Sequence, residues 1–379
     1  MKVLHIIVCL NVGGAELMLK RLIESHKHDL EYSHSVISLT SIGKVGTQLQ
    51  ELGIDVQALN MRSALEIPRV LWQLVRSIRA SAPDVVQTWM YHADLLGGIA
   101  ARLAGNRNVI WGIHSVNLQV SSARATRAVR LVCAWLSGRV PHTIVCVAEA
   151  SRNIHLKIGY DAIRMIVVPN GVDYSALVTT PDQRAIFRSE CGFLPNELVI
   201  GTVGRFNPAK DYENFVRAAG LLAHQNSNLR FLIIGRQLDE SNIELGRWIT
   251  QTGYSDRFLL LGERSDVSVC LAAMDIFCLS SRTEAFPTVV CEAMAIGLPC
   301  VVTDAGDTAM LVADTGVVVP KEDSVALAQG LKRLLDMSAD GRSALGKKSI
   351  ERIQKEFSMN RLRERYEAIY TNVVTKVFY

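Results

Sequence analysis

The sequence predicts an α/β protein of two domains, each a parallel sheet flanked by helices, and three observations predict it. The chain has 379 residues, more than the roughly 250–300 at which a single core stops growing. Short β-branched runs alternate with amphipathic stretches, the pattern of parallel strands joined by crossover helices. That alternation runs through the first half and begins again in the second.

In the first half, Val3–Val8, Ser35–Leu39, Val56–Leu59, Val85–Trp89, Val109–Ile113, Thr143–Val147 and Ile166–Val168 read as strands. They are nearly continuous apolar runs, as expected of strands covered on both faces. Ala15–Ser25, Pro68–Ala80, Ala93–Ala104 and Ala123–Ser137 read as helices between them. Val3 to Leu10 resembles the apolar centre of a signal peptide, but it runs straight into Asn11-Val12-Gly13-Gly14 without a small-residue cleavage pattern, so it reads as a buried strand.

In the second half, Leu198–Val203, Arg230–Ile234, Phe258–Leu261, Asp275–Leu279, Pro299–Thr303 and Val317–Val319 are the strands. Tyr212–His224, Asn242–Thr252, Asp266–Ala273, Thr288–Ile296, Val325–Met337 and Ser343–Phe357 are the helices, with Asp323-Ser324 as a cap before Val325. Thr179-Thr180-Pro181, Gly192 and Pro195 mark a linker between Gly171 and Glu197. The expected domains are therefore 1–180 and 181–357. Asn360–Asn372 reads as a charged helix, and the segment 358–379 is expected to pack back on the first domain.

Apolar residues make up 49% and charged residues 21%, the balance of a packed chain rather than a disordered one. No run of 18 apolar residues exists, so no membrane span is expected. The eight cysteines form no C-x-x-C pair and sit mostly in apolar runs, which suits free thiols in a reducing, cytoplasmic setting better than zinc or disulfides. Net charge is +4, but the first 180 residues carry 18 Lys and Arg against 12 Asp and Glu. A basic first half suits phosphate-bearing ligands or a lipid surface, or is scatter on a solvated face. No nucleic-acid partner is expected.

Three motifs carry chemistry. Asn11-Val12-Gly13-Gly14-Ala15-Glu16 follows the first strand, where glycines leave backbone N–H groups open to a phosphate or sugar. A plain glycine turn would look the same. Gly204-Arg205-Phe206-Asn207-Pro208-Ala209-Lys210-Asp211 follows another strand, and its two cations can face a diphosphate. The plain alternative is two surface cations beside a capping Asp. The sharpest is Ser281 to Pro299, in which Glu284 and Glu292 flank Ala285-Phe286-Pro287-Thr288-Val289-Val290-Cys291. Pro287 suits a first helical turn. Free N–H groups of Thr288 and Val289 then make an anion site, with Glu292 about 6–8 Å further along the axis at ~1.5 Å per residue. One cap carboxylate and one partly buried helix glutamate would be the bland version.

Together with Val168-Pro169-Asn170-Gly171-Val172-Asp173 and the stretch from Leu261-Gly262-Glu263-Arg264 to Gly316, these segments resemble the retaining glycosyltransferases of family four. Tyr91-His92-Ala93-Asp94 and Gly112-Ile113-His114-Ser115 are similar to members that build bacterial surface polysaccharides. The resemblance implies the GT-B fold, two Rossmann-like domains facing across a cleft. It implies that Arg205 and Lys210 hold the donor diphosphate, Glu292 the ribose, and Glu284 and His114 the transferred sugar. Gly13, Gly14, Arg264, Phe286, Pro287 and Thr288 would complete the donor site, and Glu16 and His92 would face the acceptor. It implies a nucleotide-sugar donor, a saccharide or lipid-linked acceptor, retention by front-face attack, and no cofactor or metal. The chain departs from the family at Ala285, usually Gly, at Asp304-Ala305-Gly306-Asp307, usually a double glycine, and at Met310, often Glu. The last two bear on the donor sugar.

Weaker signals remain. Arg124, Arg127 and Arg130 recur at i, i+3 on one helical face, which suits an anionic membrane surface or an ordinary packed helix. His26, His28 and His34 read as solvated loop residues rather than a metal site. Competing functions are a nucleotide-sugar epimerase or hydrolase of the same architecture, a nicotinamide oxidoreductase and a non-catalytic sugar-binding subunit. The oxidoreductase needs G-x-G-x-x-G after the first strand, which Asn11–Glu16 does not supply.

Overall fold

The opening segment KVLHII buries five of its six side chains, as a central parallel strand must. This is β1 (Lys2–Ile7) in the computed structural model, which describes residues 1–27, 29–115, 124–174, 177 and 179–375. The chain divides into two units, Met1–Gly171 with Met359–Tyr379, and Val172–Ser358. The division falls nine residues before the expected 180/181, because Val172 already pairs with Ser358 in the second unit.

Among the described residues of the first unit, the order is β1, α1 (Gly14–Ser25), β2 (Ser33–Ser38), α2 (Gly43–Glu51), β3 (Asp55–Ala58), α3 (Ile67–Ser81) and β4 (Val85–Trp89). There follow α4 (Tyr91–Ala104), β5 (Val109–Ile113), α5 (Arg124–Leu136), β6 (Thr143–Cys146), α6 (Glu149–Lys157) and β7 (Met165–Val167). The sheet is wholly parallel in the order β3-β2-β1-β4-β5-β6-β7, with Ile6 opposite both Ile37 and Thr88. Val70, Leu74 and Ile78 of α3 join α4 and α5 in covering one face.

In the second unit come α7 (Pro181–Glu190), β8 (Leu198–Val203), α8 (Tyr212–Gln225), β9 (Leu229–Ile234), α9 (Ile243–Thr252), β10 (Phe258–Leu260), α10 (Val267–Ala272) and β11 (Ile276–Leu279). Then α11 (Thr288–Ala295), β12 (Cys300–Thr303), α12 (Thr308–Val312), β13 (Gly316–Val319), α13 (Ser324–Leu335) and α14 (Ala339–Glu356) complete it. Its sheet, also parallel, runs β10-β9-β8-β11-β12-β13. The last helix, α15 (Met359–Thr375), belongs to the first unit, where Leu362, Tyr366, Tyr370 and Val373 pack with α1 and β4. Tyr370 donates its hydroxyl to Gln87 on β4.

Several expectations are corrected. The linker at 171–197 contains α7, closed by a capping box in which Thr180 and Gln183 bond each other's backbone. Pro181 stands at its first position, where a missing N–H costs nothing. His26 and His34 are not solvated. His26 is 3% exposed, and His34 accepts from or donates to buried His5 at 3.0 Å. Trp89 Nε1 donates to His5 Nδ1 at 3.2 Å, so His5 must carry its proton on Nε2 and donate to His34 Nδ1. The pairing draws on β1, β2 and β4, which local polarity could not reveal. Arg130 leaves the stripe with Arg124 and Arg127, since it is buried with its guanidinium 5.7 Å from the Tyr91 ring centroid. His28 and Ala123 lie outside the described residues. All eight cysteines are free, six of them buried.

Candidate functional site

In the second sheet the strand order reverses between β8 and β11, the place in a parallel sheet where ligands bind outside the carboxyl ends of the strands. Both loops are built to hold shape. After β8, Asn207 caps a tight turn by accepting from Ala209 N at 2.9 Å, and Asp211 takes a left-handed conformation (φ 51°). After β11, Ser280 donates to the Lys210 carbonyl at 2.9 Å and Arg282 N to the Ala209 carbonyl at 2.8 Å. The Arg282 guanidinium reaches the buried Asp211 carboxylate at 2.7 Å. The two loops are thus stitched together before any ligand arrives.

Across this seam Lys210 Nζ lies 2.6 Å from Glu284 Oε1, and Ser281 donates to the same oxygen at 2.6 Å. The pair is largely shielded, with side-chain exposures of 22% and 11%. Burial, with the Glu284 charge adding to it, pushes the Tyr212 phenol up. Arg205 stands exposed in the same loop as Lys210, with no ion pair among the described residues. A shielded cation and an exposed one in a single loop at the carboxyl end of a parallel strand are the groups a diphosphate needs.

The β11 loop then leads into α11. Pro287 caps it in an extended conformation, Thr288 opens it, and half-buried Glu292 follows one turn later. Phe286 is 6% exposed, its ring 5.4 Å from that of Phe357, so its side chain is interior and only its backbone is left for a ligand. The Asp304–Asp307 loop keeps one glycine where it matters. Gly306 has φ +63°, and a Cβ there would stand 2.0 Å from the Glu284 carbonyl oxygen. Asp307 N donates to the Ala285 carbonyl at 3.2 Å, and Met310 is exposed.

Arg264 has a partner of its own. It follows β10, two strands from β8, and its guanidinium grips Asp266 at 2.8 and 2.6 Å while lying over Phe187 at 5.5 Å. The hydrogen bond to Asp266 raises its pKa further. Short loop residues between two predicted elements gave no sign of that local partner.

The first sheet reverses between β1 and β4, and its candidates gather at the carboxyl ends of β1, β4 and β5. Gly13 is extended, and a Cβ on it would meet the Glu16 carboxylate at 2.3 Å, so Glu16 folds back over its own helix start. Burial pushes the Glu16 carboxyl up, against the opposing pull of its backbone N–H and Cys9. Gly14 has open space where a side chain would stand. After β4, Met90 adopts φ 72° and ψ 158°, a conformation nearly confined to glycine, and half-buried His92 follows it. Burial lowers the His92 pKa. His114 stacks on Trp89 with centroids 4.9 Å apart, neither ring nitrogen has a hydrogen-bond partner among the described residues, and burial takes its pKa down to about 4. A neutral imidazole with two idle nitrogens at a strand end is poised for a polar ligand.

The sequence passed over Ser281, Tyr212 and Arg282 as functional. Ser281 and Arg282 lie inside the motif that was singled out, but only the fold brings them against Lys210 and Asp211.

Residues 183–352 match the family described as Glycosyl transferases group 1, and residues 12–176 match Glycosyltransferase Family 4. An Escherichia coli relative, UDP-Gal:alpha-D-GlcNAc-diphosphoundecaprenol alpha-1,3-galactosyltransferase, is 28% identical over 282 residues, 72% of each chain. The Staphylococcus aureus capsular polysaccharide biosynthesis glycosyltransferase CapM is 22% identical, covering 79% of this chain and 80% of that protein. Among solved structures, Anabaena HepE in complex with UDP superposes with a TM-score of 0.86 at 22% identity, over 98% of this chain and 100% of that one.

Proposed function

The chain belongs to the glycosyltransferases of family four with the GT-B fold, and from that membership we propose that it moves a sugar from a nucleotide-sugar donor to a saccharide or lipid-linked saccharide in surface polysaccharide synthesis. The observation that carries this reading is the Lys210–Glu284 contact at the strand reversal of the second sheet, with exposed Arg205 in the same loop as Lys210. In this reading the diphosphate displaces Glu284 from Lys210 and takes the charge of Lys210 and Arg205. Glu284 is released towards the hydroxyls of the sugar. The N-terminus of α11 adds its unpaired N–H groups, and Glu292 accepts from the ribose.

The chemistry follows from charge. As the sugar–oxygen bond breaks, negative charge grows on the leaving diphosphate, and fixed cations stabilise it more in the transition state than in the ground state. Two side-chain cations and a helix end supply that positive charge in this reading, so no metal is required. The transfer retains configuration, the acceptor hydroxyl entering on the side of the departing diphosphate. Gly14, Glu16, His92 and His114 bind sugar hydroxyls, His114 as a neutral donor and acceptor.

A uridine nucleotide is favoured by the names of the relatives, one using UDP-Gal and another holding UDP. No helix among the described residues is long and apolar enough to cross a membrane. A peripheral position at the inner face of the cytoplasmic membrane is supported by the undecaprenol-linked acceptor of the E. coli relative and by α5, which exposes Trp135 at 68% with the Arg139 guanidinium 5.4 Å from its ring centroid and exposed Arg127 two turns earlier. A thermal-shift panel of UDP, GDP, ADP and their sugars tests the donor class. One nucleotide diphosphate should raise the unfolding midpoint, and a flat panel would remove the reading. Flotation with anionic liposomes at low salt tests the membrane position.

A further inference from the structure

Three guanidinium groups converge at the amino-terminal edge of the first sheet, the edge opposite His114. Arg102 is on the last turn of α4, Arg107 precedes β5 and Arg164 precedes β7. With Val140, Pro141 and His142 they line a cavity of about 100 Å³, roughly three times the ~30 Å³ share of one water.

Two of the three groups are held in place. Arg102 donates to the Arg139 carbonyl at 2.6 Å, and Arg164 donates to the Pro141 carbonyl. Among the described residues Asp161 is the one carboxylate within ion-pair distance of them, at 3.6 Å from Arg164 Nε. The Arg107 guanidinium has neither ion pair nor hydrogen bond among the described residues. Burial, then the charges of Arg107 and Arg164, hold Arg102 below the ordinary arginine value. Three cations against one carboxylate repel one another unless an anion enters, and guanidinium forks match the oxygens of a phosphoryl group.

We propose that Arg102, Arg107 and Arg164, all of the first unit, form a binding pocket for a phosphoryl group that uses none of the residues proposed for the donor diphosphate. Its occupant is a phosphomonoester or phosphodiester, carried by a lipid headgroup or by a soluble compound. The proposal does not depend on the glycosyl-transfer reading, because the pocket shares no residue with it.

Hydrogen–deuterium exchange of the full chain tests it, since the readout is local. The probes are inorganic phosphate, pyrophosphate, phosphatidylglycerol vesicles and phosphatidylcholine vesicles. Exchange over residues 101–109 and 137–144 should slow with at least one phosphoryl probe. Protection by the two soluble ions identifies a soluble occupant, and protection by phosphatidylglycerol vesicles alone identifies a lipid. Arg107→Glu should weaken the effect by roughly tenfold or more, Arg107→Gln by less, and Lys210→Ala should leave it in place. Arg107 is exposed, so both of its variants should fold with the wild-type unfolding midpoint. Absence of protection by every probe, or equal protection in Arg107→Glu, overturns the proposal.

Discussion

Lys210 Nζ and Glu284 Oε1 meet at 2.6 Å across the reversal point of the second sheet, joining the loop after β8 to the loop after β11. The contact holds a cation in a shielded place with its charge balanced, and in the proposed reading a diphosphate entering there exchanges one anionic partner for another. Little has to reorganise at the moment of reaction, which is what makes fixed charge effective in catalysis.

Lys210→Ala should therefore lower turnover by about 10²–10³-fold, with the fold retained because the side chain is partly solvated. Arg205→Ala should lower it as well. Combined with Glu284→Gln, Lys210→Ala should be non-additive by roughly 0.5–3 kcal/mol. A double-mutant cycle on kcat/KM reads this, and simple additivity would separate the two side chains in function.

Glu292→Gln should weaken nucleotide binding by about tenfold, the worth of one hydrogen bond to a charged acceptor. Calorimetric titration with the nucleoside diphosphate checks it. An unchanged affinity would take the ribose away from Glu292.

Two glycines make opposite predictions. Gly306→Ala places a Cβ 2.0 Å from the Glu284 carbonyl oxygen at φ +63°, so stability should fall by roughly 1–3 kcal/mol and activity with it. Gly14→Ala meets nothing within 4 Å, and alanine is the better helix former by up to ~1 kcal/mol. It should fold at least as stably while losing turnover, if a ligand approaches that backbone. Denaturant unfolding alongside kinetics separates the cases.

The alternation that announced two parallel sheets was legible because strands covered on both faces leave long β-branched runs. Most helices were legible from their apolar spacing. α7 was missed although Thr180-Pro181-Asp182-Gln183 spells a capped start, because proline read as a break rather than a first helical residue. In the candidate site, the motifs made Lys210 and Glu284 candidates but not their direct contact, and Arg264, which drew on resemblance, bonds Asp266 two residues away. The burial of His26 and His34 was beyond local reading, since His5 comes from β1 and Glu367, 3.3 Å from His26, from α15.

That histidine group sets a pH dependence. Burial takes His34 down to about 3, His114 to about 4, and His5 well below its ordinary 6.5. Between those values and 6.5 the unfolded chain binds the extra protons, so the stability they contribute is full above 6.5 and lost as pH falls. Each contributes a slope of about 1.4 kcal/mol per pH unit there. Asp94 opposes them. Burial raises it to about 7, so the folded chain holds its proton longer, and stability declines as pH rises from about 4 to 7. Thermal unfolding across pH should show stability climbing to a maximum near 6.5, and Asp94→Asn should steepen the climb. A profile flat from 4 to 7 would contradict both.

Calorimetric binding of UDP and of uridine to the wild type, Lys210→Ala and Glu292→Gln asks whether the second unit divides the donor between a phosphate grip and a ribose grip. Lys210→Ala should lose affinity for UDP and keep it for uridine, while Glu292→Gln should lose both. If Lys210→Ala binds UDP as the wild type does, the diphosphate does not sit at the Lys210–Glu284 seam, and the donor site lies elsewhere.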